Sequence, residues 1–85
     1  MVTGKTKSGF NFKIEDDALD NYDLLEVLME IDEGNSLKMT KAAKMLLGAE
    51  QHDALKKHCE VDGKVIATKM FTEISEILNS NEVKN

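Results

Sequence analysis

The stretch "FNFKIEDDALDNYDLLEVLMEID", residues 10–32, changes its hydrophobic period partway along, and that change decides the fold. Phe10, Phe12 and Ile14 alternate with Asn11 and Lys13, the period of two expected of a half-buried strand. From Asp20 onward the apolar positions fall at Leu24, Val27, Leu28 and Ile31, the spacing of one helix face. Asp20 or Asn21 can cap this helix, because a short side-chain oxygen can accept from the unpaired amides of the first turn. Gly34 is placed to end it.

Outward from this segment the pattern extends in both directions. Upstream, "VTGKTK" (2–7) is short and partly β-prone, and Ser8-Gly9 marks a turn, which predicts a hairpin. A lone hairpin is marginal in water, so its Phe10/Phe12/Ile14 face should lie on the helices. Downstream, Ser36 opens a second helix that runs to Leu47 and stops at Gly48. A third, shorter helix covers "AEQHDALKKHC", with Leu55 and Cys59 on its apolar side. Asp62-Gly63 forms a turn, and a last helix spans about Ile66 to Asn79. The expected fold is α+β, mainly α: an N-terminal β-hairpin packed on about four short helices. It should form a single domain over 1–85, with an ordered core at 8–79 and a polar tail that frays at 80–85.

Eighty-five residues support one modest core, burying about 60–65% of the surface exposed by the unfolded chain. A single cysteine excludes an internal disulfide and fits a reducing compartment. The lysines of "MVTGKTKSGFNF" have no apolar run behind them, so no signal peptide is expected, and no stretch approaches the roughly 18 apolar residues of a membrane span. On these features the chain is expected to be cytoplasmic. The net charge is −5 and every basic residue is lysine. Without arginine, the bidentate fork used on phosphates and guanine edges is missing, which disfavours a nucleic-acid partner.

Catalysis and cofactors find little support in the residues. His52 and Cys59 share a helix face but lie seven residues apart, about 10 Å along the axis, too far for one zinc ion. His58 points elsewhere. A buried cysteine and two surface histidines are the expected arrangement. There is no glycine-rich phosphate loop, and "DEGNSLKM" lacks the repeated acidic ligands of a calcium loop. No catalytic, cofactor or metal residues are therefore assigned.

Ser36-Leu37 at a helix start resembles the attachment site of an acyl carrier protein, but three features depart from that family. Asn35 stands where an aspartate is usual, the following helix carries Lys38, Lys41 and Lys44 instead of acids, and the chain begins with a strand pattern. The simpler expectation is that the Ser36 hydroxyl caps the helix, worth about 1 kcal/mol.

The apolar residues of the helices are not equally confined. In the last helix Ile66, Ala67, Met70, Phe71, Ile74, Ile77 and Leu78 fill an arc of about 140°. In the first, Tyr22, Leu24, Leu25, Val27, Leu28, Met29 and Ile31 spread over roughly 220°, with acids in the remaining sector. Either this helix is central, or Tyr22, Leu25 and Met29 face another protein. The acidic stripe of Asp23, Glu26 and Glu30 has a counterpart in Lys38, Lys41 and Lys44. If the two are not simply solvated, one subunit's acids can meet the next subunit's lysines head to tail, in a ring or spiral that salt weakens.

Taken in order, Gly9-Phe10-x-Phe12, Leu24-Leu25-Glu26, Leu46-Leu47-Gly48-x-Glu50-Gln51 and Asp62-Gly63-Lys64-Val65 form a pattern. It resembles the tail assembly chaperones of siphophages and prophages of low-GC Gram-positive bacteria, from about Ser8 to Leu78. The resemblance implies a non-enzymatic protein that binds the tape-measure protein and keeps it soluble while the tail tube assembles. It further implies self-association, host cytoplasm as the place of action and absence from the mature virion. Members are often also made in a longer, frameshifted form. Met29, Met39, Met45 and Met70 suit either core filling or a surface that repacks on varied helices. The alternative is a small prophage-encoded adaptor or regulator acting by protein–protein contact.

Overall fold

A computed structural model describes residues 1–80 and gives a mainly helical α+β fold. Strands β1 (Val2–Lys5) and β2 (Asn11–Ile14) pair antiparallel, with Val2 opposite Ile14 and Lys5 opposite Asn11. The turn between them closes through Thr6 N–H to Phe10 O and Gly9 N–H to Thr6 O, with Gly9 at φ +98°. Alternation works as expected: Phe12 and Ile14 are buried, while Asn11 and Lys13 face solvent. Gly4 is required by its partner across the pair, since a Cβ there would stand 2.5 Å from Phe12 Cζ. The strand and the buried Thr6 lie ahead of residue 8, where the ordered core was expected to begin.

Between the hairpin and the next helix lies one helical turn, α1 (Asp16–Leu19), which leaves Ala18 and Leu19 half-buried against the core. Helix α2 (Tyr22–Asp32) begins where Asn21 accepts from the amides of Asp23 and Leu24 at 2.9 and 3.3 Å. It ends in a Schellman turn: Gly34, at φ +107°, donates to Ile31 O, and Asn35 N–H donates to Glu30 O.

The expectation for Ser36 is corrected. Its hydroxyl caps nothing; Ser36 starts a 3-10 turn, Ser36–Lys38, and is anchored through its backbone amide to Gly34 O. A 3-10 turn satisfies its own early carbonyls at shorter range, so the N-cap geometry that would aim the hydroxyl at the N2 or N3 amide is not formed.

Helix α3 (Met39–His58) is broken at Gly48, whose φ +78° and ψ 168° are not helical. The break divides its work. Met39, Ala42, Ala43, Leu46 and Leu47 are buried before the bend, and His52 and Leu55 after it. Two short strands follow, β3 (Glu60–Val61) and β4 (Lys64–Val65), joined by Asp62 and Gly63, both with positive φ. That pairing is the hairpin geometry of a two-residue I′ turn. Helix α4 (Ala67–Leu78) closes the fold. One core results: Phe10, Phe12 and Ile14 of the hairpin meet Leu24 and Val27 of α2, both halves of α3, and Ile74 and Ile77 of α4. Of the tail expected at 80–85, Ser80 hydrogen-bonds to Ile77 O, and 81–85 lie outside the described residues.

Candidate functional site

Helix α2 is not central. Leu24 and Val27 enter the core and Leu28 and Ile31 are half-buried, but Tyr22, Leu25 and Met29 are 72, 50 and 57% exposed. A cap at one end and a Schellman turn at the other fix this face as a rigid span of 11 residues, about 16 Å long. Leu25, Leu28, Met29 and Ile31 continue toward Leu78 at the end of α4, and together they floor an open groove of about 490 Å³. Its surroundings are acidic. Asp23, Glu26, Glu30, Asp32 and Glu33 are exposed along and just beyond α2, and the helix carries no basic residue. Single exposed apolar residues are ordinary on a soluble surface; a row of three beside a groove is not.

The lysine stripe lies next door, and part of it is already engaged. Lys38 approaches Glu30 of the same chain at 3.7 Å, both side chains being partly exposed. Such a pair is worth little in water. Lys41 and Lys44 are exposed, and among the described residues neither they nor Asp23 and Glu26 form an ion pair. Leu37, between Ser36 and Lys38, is 87% exposed.

A second cluster was not foreseen. Glu73 of α4 is 5% exposed, and its Oε1 accepts from Thr6 Oγ1 at 2.6 Å and from Ser8 Oγ at 2.8 Å. Three residues on, Glu76 Oε2 accepts from Lys7 N–H at 3.0 Å. Two glutamates on one face of α4 therefore hold the turn of the β1–β2 hairpin. The signal in the sequence was weak: Glu73 lies only about 20° outside the apolar arc on the Ile66/Ile77 side. The helix is rotated toward that side, so that Glu73 is buried and Phe71, at the opposite edge, is 42% exposed.

Ser8, His58 and Glu73 bring a hydroxyl, an imidazole and a carboxylate together, and their geometry is not that of an acyl-transfer triad. The single proton of Ser8 goes to Glu73, so at 2.9 Å His58 Nε2 must donate to Ser8 Oγ. The carboxylate also lies 4.0 Å from that same Nε2. An orienting acid belongs on the far nitrogen, with the imidazole between acid and nucleophile. His58 additionally packs on Phe10, with ring centroids 5.4 Å apart. Beside it Cys59 is buried; burial, then the Glu73 carboxylate, push its thiol pKa upward, which keeps it protonated and unreactive. These groups border a cavity of about 220 Å³ and work as a structural clip.

His52 corrects another expectation, since it is not a surface residue: it is 7% exposed and its Nε2 has no hydrogen-bond partner among the described residues. It stands one turn before Leu55 and two before Cys59, both buried, and shares their face of the helix. Among the described residues no three His, Cys, Asp or Glu side chains converge as a metal site, and no helix is long and apolar enough to cross a membrane. No family model, curated protein or solved structure matches the chain.

Proposed function

We propose that this protein is a non-enzymatic assembly chaperone for an elongated helical client, the role of the phage tail assembly chaperones that its sequence resembles. The client in that reading is the tape-measure protein, held soluble in the bacterial host cytoplasm until tail-tube subunits replace the chaperone, which is then absent from the virion. One observation carries the proposal: α2 is rigidly capped, yet leaves Tyr22, Leu25 and Met29 in solvent beside a groove floored by Leu28, Ile31 and Leu78. Helical clients are read by such surfaces through apolar anchors one turn apart. Self-association belongs to the same reading, with Lys41 and Lys44 of one copy facing Asp23 and Glu26 of the next. Nucleic acid and membrane are not among the partners.

The test is co-expression with a tape-measure protein, the long helical client of this reading. The native chain should keep that protein in the soluble fraction and co-purify with it, whereas Leu25→Asp with Met29→Asp should not. A client that precipitates equally with and without the native chain removes the proposal.

A further inference from the structure

We infer that the α2–α4 groove takes one class of occupant, an amphipathic helix flanked by lysine or arginine, contributed by another protein. The inference rests on the chaperone reading and narrows it from any helix to a cationic one. The floor, Leu25, Leu28, Met29, Ile31 and Leu78, is apolar, and about 490 Å³ lies within the size range of clefts that seat several groups. The face of α2 covers three turns, enough for anchors at i, i+3 or i+4, and i+7.

Charge selects among helices that could fill it. Asp32 borders the groove itself, Glu26 follows Leu25 on α2, and Glu33 caps the same helix; all three are exposed, and no lysine lies on α2 to balance them. A helix with acidic flanks would bring like charges together as it seated its apolar row, while a helix with basic flanks would gain attraction and speed of encounter.

A second copy of this chain supplies the charge but not the anchors. The helix that carries Lys41 and Lys44 has Met39, Ala42, Ala43, Leu46 and Leu47 buried in its own core. On α4 Ile74 and Ile77 are likewise buried, leaving Phe71, 42% exposed, as the one large apolar side chain of that helix with substantial exposure. Among the described residues, no helix of the chain presents an apolar row together with lysines. The occupant therefore comes from elsewhere.

Three designed helical peptides of about five turns test this, each with leucines at i, i+3, i+4 and i+7 and with lysine, glutamine or glutamate at every other position. In fluorescence anisotropy the leucine–lysine peptide should bind at least about tenfold more tightly than the leucine–glutamine peptide, and the leucine–glutamate peptide should not bind. Leu25→Glu with Met29→Glu should weaken the lysine peptide about tenfold or more, although the added charge alone would strengthen unspecific attraction. Glu26→Lys with Asp32→Lys should lose the lysine peptide and gain the glutamate peptide, a gain that misfolding cannot produce. If the glutamine peptide binds as tightly as the lysine peptide and both need Leu25 and Met29, the charge selection is wrong and the helix-binding reading stands. If no peptide is sensitive to Leu25 and Met29, both fall.

Discussion

Thr6 and Glu73, 67 positions apart, share a buried 2.6 Å hydrogen bond in which the hydroxyl donates to the carboxylate. Thr6 Oγ1 in turn accepts from Phe10 N–H at 3.1 Å, so the carboxylate organises the turn through the threonine as well as through Ser8. Hydrogen bonds to a charged group are stronger than neutral ones, and leaving the donors buried without an acceptor adds its own cost. Glu73→Ala is therefore expected to lose about 2–4 kcal/mol, and Glu73→Gln less, because its carbonyl still accepts. Urea unfolding midpoints measure this. Equal midpoints for Glu73→Ala and the native chain would mean that the clip contributes nothing.

Gln51 holds the outer edge of β2 in a similar way. Its Oε1 accepts from Lys13 N–H at 2.8 Å, and its Nε2 donates to Lys13 O at 2.6 Å and to Leu47 O at 2.9 Å. One side chain thus imitates a neighbouring strand where an open edge would otherwise invite pairing. Gln51→Ala should cost about 1–2 kcal/mol, and Gln51→Glu at least as much, since a carboxylate would face two carbonyl oxygens with no proton to give. Hydrogen exchange at Lys13 should accelerate in both variants. Unaltered exchange there would show that the grip is not made in solution.

The bend at Gly48 is what brings Gln51 to that edge. Its φ of +78° with ψ of 168° falls in a region that only glycine occupies readily, and no atom stands within 4 Å of where a Cβ would be. Steric room is not the issue; the backbone is. Gly48→Ala should cost about 1–3 kcal/mol and favour a straight helix through residue 48. A rise in helical circular dichroism together with a lower melting temperature is the expected pair of results. A variant as stable as the native chain would show that the bend is not needed.

Elements set by local rules were legible in the sequence, and those set by tertiary partners were not. The alternation of Phe10, Phe12 and Ile14, the caps at Asn21 and Gly34, and the break at Gly48 follow from side-chain period and glycine chemistry within a few residues. Glu73 did not, because a glutamate beside an apolar arc reads as solvated until hydroxyls from the far end of the chain are placed against it. His52 is different: its place on the face of Leu55 and Cys59 is visible in the spacing, and it is buried with them although a histidine is ordinarily a surface residue. For α2, helical spacing gives an apolar arc of roughly 220° that fits either a central helix or one facing a partner, and only the packing shows that Tyr22, Leu25 and Met29 are uncovered.

Ser36 illustrates the opposite error, a local rule applied where a neighbouring motif had already satisfied the backbone. With Gly34 and Asn35 closing α2 and a 3-10 turn following at once, the amides a cap would serve, those of Lys38 and Met39, already donate to Asn35 O and Ser36 O. Ser36→Ala should change stability by no more than about 0.5 kcal/mol, as at an ordinary surface position, instead of the roughly 1 kcal/mol of a lost cap. A drop near the larger value in urea unfolding would restore the cap.

His52 should make the fold sensitive to mild acid. Burial, then the ammonium groups of Lys44 and Lys56, lower its pKa below the usual 6.5, with Asp53 opposing weakly. The folded chain consequently takes up this proton less readily than the unfolded chain, and stability rises with pH wherever the unfolded state binds more protons. The contribution is fully present above about pH 6.5 and is lost as pH falls below it toward the lowered folded value. His52→Leu removes both the titration and the unpaired Nε2, so it should match or exceed the native stability at neutral pH. Its advantage should widen as the medium is taken from about pH 7 toward pH 5, with the carboxylates common to both chains cancelling in the difference. Unfolding free energies measured in parallel across that range provide the check. Curves that stay a constant distance apart would show that His52 takes up its proton equally in both states.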